Sequence, residues 1–214
     1  MCAKRRGDLV VEVIKAEDPA GDLARVSGTA RNPGMASCFL NCNRNKRSIC
    51  LDLKQPEGLA AMMDLVKTAD VFIHALRPQA VRKLGIAYED LKAVNPNLVY
   101  VGAYGFSESG PYGHKTAFDD IIQAASGGAD IQGTLLDQPR YVSFIQADKT
   151  TGLMACNAVV AALLHRERTG EGQFVEVPMF ETMVGMHMIE HLDGAPYAAP
   201  NGPANYTPRL TPGA

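Results

Sequence analysis

The chain predicts an α/β fold, an open parallel sheet with helices on both faces. Short β-rich runs alternate with helical patterns along most of its length, the order expected of a parallel sheet with crossover helices. Several strand candidates are continuous apolar runs, as strands covered on both faces should be. Gly, Pro and Asn punctuate the junctions.

In order, Leu9 to Ile14 is apolar apart from Glu12 and is expected to be a buried strand. After a polar loop, Ser48-Ile49-Cys50-Leu51-Asp52-Leu53 reads as a strand, and Pro56-Glu57 opens a helix through Leu59, Met62, Met63, Leu65 and Val66. Proline suits a first helical turn because its missing N–H is not needed there. Asp70 to His74 is the next strand, followed by Arg77-Pro78 and two short helices around Val81–Leu84 and Tyr88–Val94, the second stopped by Asn95-Pro96-Asn97. Leu98 to Gly102 is a further strand, running into a Gly/Ser/Pro-rich loop from Gly105 to Gly113. Residues 119 to 126 read as a helix, with Asp119 or Asp120 as N-cap and Gly127-Gly128 as stop. Leu153, Met154, Cys156, Val159, Val160, Leu163 and Leu164 recur at helical spacing between Lys149 and Arg168, so this helix is expected to be central and buried. Gln173 to Val177 is a strand and Phe180 to Leu192 a Met-rich helix. Residues 1–192 are expected to be one domain and 193–214, with five prolines, an extended linker.

At 214 residues and 46% hydrophobic composition the chain can bury a substantial core, and its formal charge of −2 argues against nucleic-acid or membrane-surface binding. Cys2, Cys38, Cys42, Cys50 and Cys156 form no CxxC pair or zinc-type quartet, which fits reduced thiols. The basic start, Met1 to Asp8, has no apolar signal core, and no run reaches the roughly 18 to 20 residues of a membrane span. The expected location is cytoplasmic.

Other motifs are excluded by what they lack. There is neither a GxGxxG dinucleotide fingerprint nor a Walker A sequence, and Gly105 to Gly110 misses the GxSxG spacing of a nucleophile elbow. His187-Met188-Ile189-Glu190-His191 has the HxxEH pattern of inverted zinc proteases, but no Glu follows to complete a ligand set. No metal site is expected.

Two features point toward chemistry. Asp148 stands where the extended apolar stretch Tyr141 to Ile145 passes through Gln146-Ala147 into the long helix. Such a carboxylate can cap the helix, worth roughly 1 kcal/mol, or be aimed at a ligand beyond the strand ends. The second feature is basic: Arg44, Lys46, Arg47 and Lys54 flank one strand, and Arg77, Arg82 and Lys83 follow the next. In one parallel sheet these cations would share an edge suited to a polyphosphate ligand.

A family resemblance rests on ordered motifs. They run from Asn43-Arg44-Asn45-Lys46-Arg47-Ser48-Ile49-Cys50-Leu51-Asp52-Leu53-Lys54 through Pro56-Glu57-Gly58, Ala69-Asp70-Val71, Arg77-Pro78, Leu84-Gly85 and Asn95-Pro96-Asn97-Leu98-Val99-Tyr100. They continue in Gly105-Phe106, Gly110-Pro111-Tyr112, Phe118-Asp119, Gln123 to Gly127 and Arg166 to Gln173. Together these resemble the class III CoA-transferases, a family that includes formyl-CoA transferase, carnitine-type CoA-transferases and 2-methylacyl-CoA racemases.

The resemblance implies a Rossmann-like sheet, an incomplete large domain of that family's fold. It places Asp148 on the catalytic aspartate, which takes acyl groups as mixed anhydrides and CoA as a thioester. Acyl-CoA and a carboxylic acid acceptor are then the substrates, with no permanently bound cofactor. Lys54 matches a CoA-contacting lysine and Lys83 an arginine of similar duty, while Arg44 and Arg77 belong to the same basic set. Ala75 and Leu76 stand where the family has Asn and Phe in the nucleotide pocket, and Gln79 where Gly is usual. Phe118 occupies the position where racemases place an acid/base histidine, which favours transfer over racemisation. Family members are roughly twice as long and interlock as homodimers. The chain is therefore expected to lack an opening βα unit and a later glycine-rich loop, and a catalytically silent CoA-binding fragment is the remaining alternative.

Overall fold

The computed structural model describes residues 2–8, 11–133, 138–202 and 204. Its elements follow in chain order: α1 Cys2–Gly7, β1 Ile14–Glu17, α2 Ser37–Asn43, β2 Arg47–Cys50, α3 Pro56–Thr68, β3 Val71–His74, α4 Pro78–Leu84, α5 Tyr88–Val94 and β4 Val99–Gly102. There follow α6 Asp119–Ala125, α7 Gly128–Gly133, α8 Gln146–Thr169, β5 Gln173–Glu176 and α9 Met179–His191. The architecture is α/β with parallel strand pairs and helices on both faces, as the alternation predicts.

The expected single sheet is instead two. β1 pairs β2 in parallel, Ile14 opposite Arg47, and a second sheet has the order β3-β4-β5, with Val71 opposite Val99 in its parallel β3–β4 pair. The chain divides into two compact units, residues 1–102 with 155–175, and 103–154 with 176–214.

In the first unit, Met62, Val66, Val81, Ile86, Leu91, Leu98 and Tyr100 form the core. β4 is buried at every position, and the Tyr100 hydroxyl donates to the Ile86 carbonyl at 3.1 Å, so the ring is packed without stranding its polar end. α3 opens on Pro56 with Glu57 in its first turn, and α4 closes on Gly85 at φ +70, a left-handed conformation that costs glycine little. Asn95 stops α5 and its amide donates to the carbonyls of Val66 and Ala69, both at 2.9 Å, which ties the end of α3 down.

β1 lies later than the expected strand. Residues 11–13 are irregular, and Leu9 and Val10 fall outside the described residues. The strand contains Lys15 and Glu17, and its charge concealed it. Glu17 is buried because Arg25 reaches it through two 2.8 Å contacts and Ser48 through one of 3.1 Å. Arg25 leads a set of partners that holds the Glu17 carboxyl down at about 2. β2 ends at Cys50 rather than Leu53, since Asp52 turns the chain by accepting the Lys54 N–H at 3.0 Å.

In the second unit, Phe106, Ile122, Ala147 and Met183 form the core, with Ala117, Met179 and Phe180 against it. Gly105 allows a close approach of its loop to residue 117, since a Cβ there would lie 2.2 Å from that of Ala117. α6 stops before Gly127, at φ +82, and the following residues form α7 rather than a plain turn.

α8 is the long helix, but its bulky residues are not the buried ones. Leu153, Met154, Val160 and Leu164 are between 43% and 53% exposed, while Ala147, Thr151, Ala155, Val159 and Ala162 are buried. That buried stripe steps mainly by four residues and consists mostly of small side chains, which permit close helix approach. Apolar periodicity had located the helix correctly and its buried face wrongly.

Candidate active site

The start of α8 and the start of α6 build one polar constellation within the second unit. α8 begins at Gln146, three residues earlier than an Asp148 cap would require, so Asp148 is the third residue of the first turn. Ala147 is fully buried in the core, and the next position along the helix turns outward. Asp148 is accordingly exposed at its tip.

The capping duty passes to another helix. The backbone N–H of Asp148 donates to Oδ1 of Asp119 at 2.9 Å, and Asp119 is the first residue of α6. Neither Asp119 nor Asp120, the two expected caps of α6, is its N-cap; Phe118 holds that position without any side-chain cap bond. One turn along α6, the amide of Gln123 is buried and fully used. Its Nε2 donates to Asp119 Oδ2 at 2.5 Å and to the Phe144 carbonyl at 3.4 Å, and its Oε1 accepts the Val142 N–H at 3.0 Å. The run-in to α8 is irregular rather than a strand, with Tyr141, Phe144 and Ile145 between 44% and 56% exposed, and Gln123 fixes it.

Protein packed around the Asp148 carboxyl raises its pKa above the ordinary carboxylate range, and the negative charge of Asp119 raises it further. The result is a carboxylate more basic than usual, on an exposed residue whose own N–H is bound from another helix. Among the described residues, none makes a hydrogen bond or ion pair to its side-chain oxygens. Phe118 is 60% exposed and stands next to Asp119 in sequence.

The remaining candidate residues lie in the first unit. Lys54, Ala75, Leu76, Arg77 and Lys83 are exposed, Arg77 at the N-cap of α4 and Lys83 in its last turn. Lys54 follows β2 and Arg77 follows β3, which are in different sheets, so the expected common edge of one sheet is not formed. Arg44 is committed to Asp8 by two contacts of 2.9 Å, Lys46 to Asn43 at 2.8 Å, and Arg47 to Glu12. The Leu76 N–H donates to Nδ1 of His74 at 3.2 Å, which pins the Ala75-Leu76 turn to the end of β3.

The first histidine of the HxxEH pattern is packed inside the second unit. His187 is buried and its Nδ1 lies 3.2 Å from the Ser126 carbonyl and 3.1 Å from the Ser126 hydroxyl. Among the described residues, no group of three His, Cys, Asp or Glu side chains could hold a metal ion. No helix is long and apolar enough to cross a membrane, again among the described residues.

The family model described as CoA-transferase family III matches residues 2–209. The chain belongs to CoA-transferase family III. It is 37% identical over 193 residues to a probable fatty acyl-CoA transferase of Mycobacterium tuberculosis, covering 88% of this chain and 49% of that relative. It is 38% identical over 181 residues to a succinate–glutarate CoA-transferase of Agrobacterium fabrum, covering 81% of this chain and 45% of the other. A crystal structure of a CaiB/BaiF family protein from Brucella suis superposes with a TM-score of 0.87 at 34% identity, over 95% of this chain and 55% of that one. This family III chain thus spans about half the length of the curated relatives it matches.

Proposed function

We propose that Asp148 is the acyl-carrying nucleophile of a CoA-transferase that moves CoA from a thioester donor to a carboxylic acid acceptor. The observation that carries this reading is Asp148 itself, exposed at the head of α8, its N–H held by Asp119 and its carboxylate bonded by no described residue. A carboxylate that accepts several N–H bonds is stabilised and a poor nucleophile; this one is destabilised by its surroundings and by Asp119.

In the proposed reaction one Asp148 oxygen attacks the donor thioester carbonyl, the C–S bond breaks, and the CoA thiolate leaves with the electron pair. The thiolate then attacks the Asp148 carbonyl of the mixed anhydride and expels the donor acid as its carboxylate. The acceptor carboxylate attacks the resulting aspartyl thioester, and the returning thiolate takes the acceptor acyl group. No net proton or electron is consumed. Exposed Lys54, Arg77 and Lys83 are cations of the kind that hold CoA phosphates, with the Ala75-Leu76 turn beside the nucleotide. Arg44 would have to exchange its Asp8 contact to join them. Phe118 has no proton to exchange with a substrate α-carbon, which supports transfer over racemisation. Five thiols without disulfides are in keeping with a cytoplasmic enzyme. A homodimer, with 1–192 as catalytic domain and 193–214 as linker, completes the proposal.

The full-length protein incubated with acyl-CoA should yield an adduct that hydroxylamine releases, and Asp148→Asn should abolish it. Persistence of the adduct in a folded Asp148→Asn protein would refute the assignment.

A further inference from the structure

We infer that Asp119 and Gln123 are positioning residues for the acyl carrier, clamping the first turn of α8 and its run-in from α6 so that the Asp148 carboxylate is left free to react. The inference rests on the proposed role of Asp148.

An aspartate at the third position of a helix ordinarily serves its own N-terminus, reaching back to an orphan N–H in a capping box. A side chain so engaged would be held against the backbone with its lone pairs occupied. Here the N–H of Asp148, one of the orphan donors of that turn, is bound to Asp119 Oδ1 at 2.9 Å, and no described residue bonds the Asp148 carboxylate. The bond comes from a separate helix, which fixes the peptide in space as well as satisfying it.

Asp119 is itself held. Its second oxygen accepts from Gln123, which leaves Oδ1 aimed at α8. Gln123 also grips both sides of Ser143, through the Val142 N–H at 3.0 Å and the Phe144 carbonyl at 3.4 Å. The two α6 residues are four apart and share one face, and between them they hold the backbone at residues 142, 144 and 148 by one network. Behind them, Ile122 and Ala147 are both fully buried in the same core, so α6 and the head of α8 cannot shift independently without opening it.

The clamp also has an electrostatic consequence. It places a second carboxylate beside the nucleophile, and the negative charge is tolerated because each Asp119 oxygen receives a donor. A neutral amide of the same shape would keep the bond to the Asp148 N–H, lose the charge, and turn a second donor toward Gln123 Nε2.

The test uses the full-length protein with Asp119→Ala and Asp119→Asn, read in two ways. Amide hydrogen exchange at Asp148 reports the clamp without reference to chemistry. Hydroxylamine-trapped adduct formation at saturating acyl-CoA reports the reaction. Asp119→Ala is expected to deprotect the Asp148 amide and slow adduct formation about 10- to 100-fold, as misplacement of a reacting group does. The half-saturating acyl-CoA concentration should stay within about threefold, because the loss is in the reacting geometry and not in binding. Asp119→Asn keeps the Oδ1 acceptor and loses the Gln123 bond, so it should recover part of the amide protection and of the adduct rate, which a general loss of stability would not explain. If the parent forms adduct and Asp119→Ala forms it within about twofold of the same rate, the positioning role is overturned and the proposed function stands. If Asp119→Asn is no better than Asp119→Ala, the positioning role is likewise overturned. If the parent forms no adduct at all, the proposed function fails and this inference with it.

Discussion

Asp148 and Asp119 illustrate how a carboxylate's role is set by which of its groups is already satisfied. Asp148 uses its backbone N–H in the fold while no described residue bonds its carboxyl, and Asp119 spends its carboxyl on the fold. A raised pKa in the folded state means that the ionised carboxyl costs stability at neutral pH. Asp148→Asn should therefore raise the urea midpoint of the protein at pH 7, with the gain shrinking as pH falls and the parent carboxyl takes up its proton. A lower midpoint for the variant at pH 7 would contradict the strained-carboxylate account. Asp148 itself was visible in the sequence because an acidic residue stood between an apolar stretch and a helical pattern. Its partner was not. The sequence offers Asp119 only as one of two caps, with Asp120, for its own helix, since a sequence cannot say which helix end a side-chain oxygen will face. Gln123 gave one faint signal, a polar residue beside Ile122 on a short helix, and burial alone revealed its use.

At the scale of elements, the strand and helix pattern was legible wherever apolar periodicity and breakers agreed. β3, β4, β5, α3, α5 and α9 lie within a residue or two of expectation, because buried β-rich runs and Pro, Asn and Gly stops act locally. β1 was misplaced because Glu17 enters the core only with Arg25 and Ser48 around it, a long-range compensation. α2 went unread because its sequence, rich in Asn and Cys, buries only Phe39. β3 carries its own titration marker. Burial depresses the His74 pKa to about 4, against 6.5 for a free side chain, and the neutral ring accepts the Leu76 N–H. The unfolded chain takes up this proton as pH drops below 6.5 and the folded one only near 4, so stability should be level above 6.5 and erode between those values. Glu17 acts lower, its contribution being present above 4.5 and lost toward 2. His74→Asn keeps an acceptor for Leu76 and removes the titration. Urea denaturation of this variant should show stability lower at pH 7 by about 2 kcal/mol for the lost ring burial, without the loss that His74 gives the parent between 6.5 and 4. A slope equal to the parent's across that window would show that His74 is not its source.

For the molecule as a whole, the family was legible because its motifs are numerous, ordered and spread from Asn43 to Gln173. The division into two units and the split of the expected sheet were not, since both depend on contacts between segments far apart in sequence. The central claim is that Asp148 carries the acyl group covalently, and it has an isotopic signature. When an acceptor acid labelled with 18O in its carboxylate forms the second anhydride, one labelled oxygen must remain on the aspartate after the thiolate departs with the acyl group. In a single turnover of the full-length protein, the peptide containing Asp148 should gain about 2 Da. Acyl-CoA product formed at the normal rate with that peptide unlabelled would contradict the account.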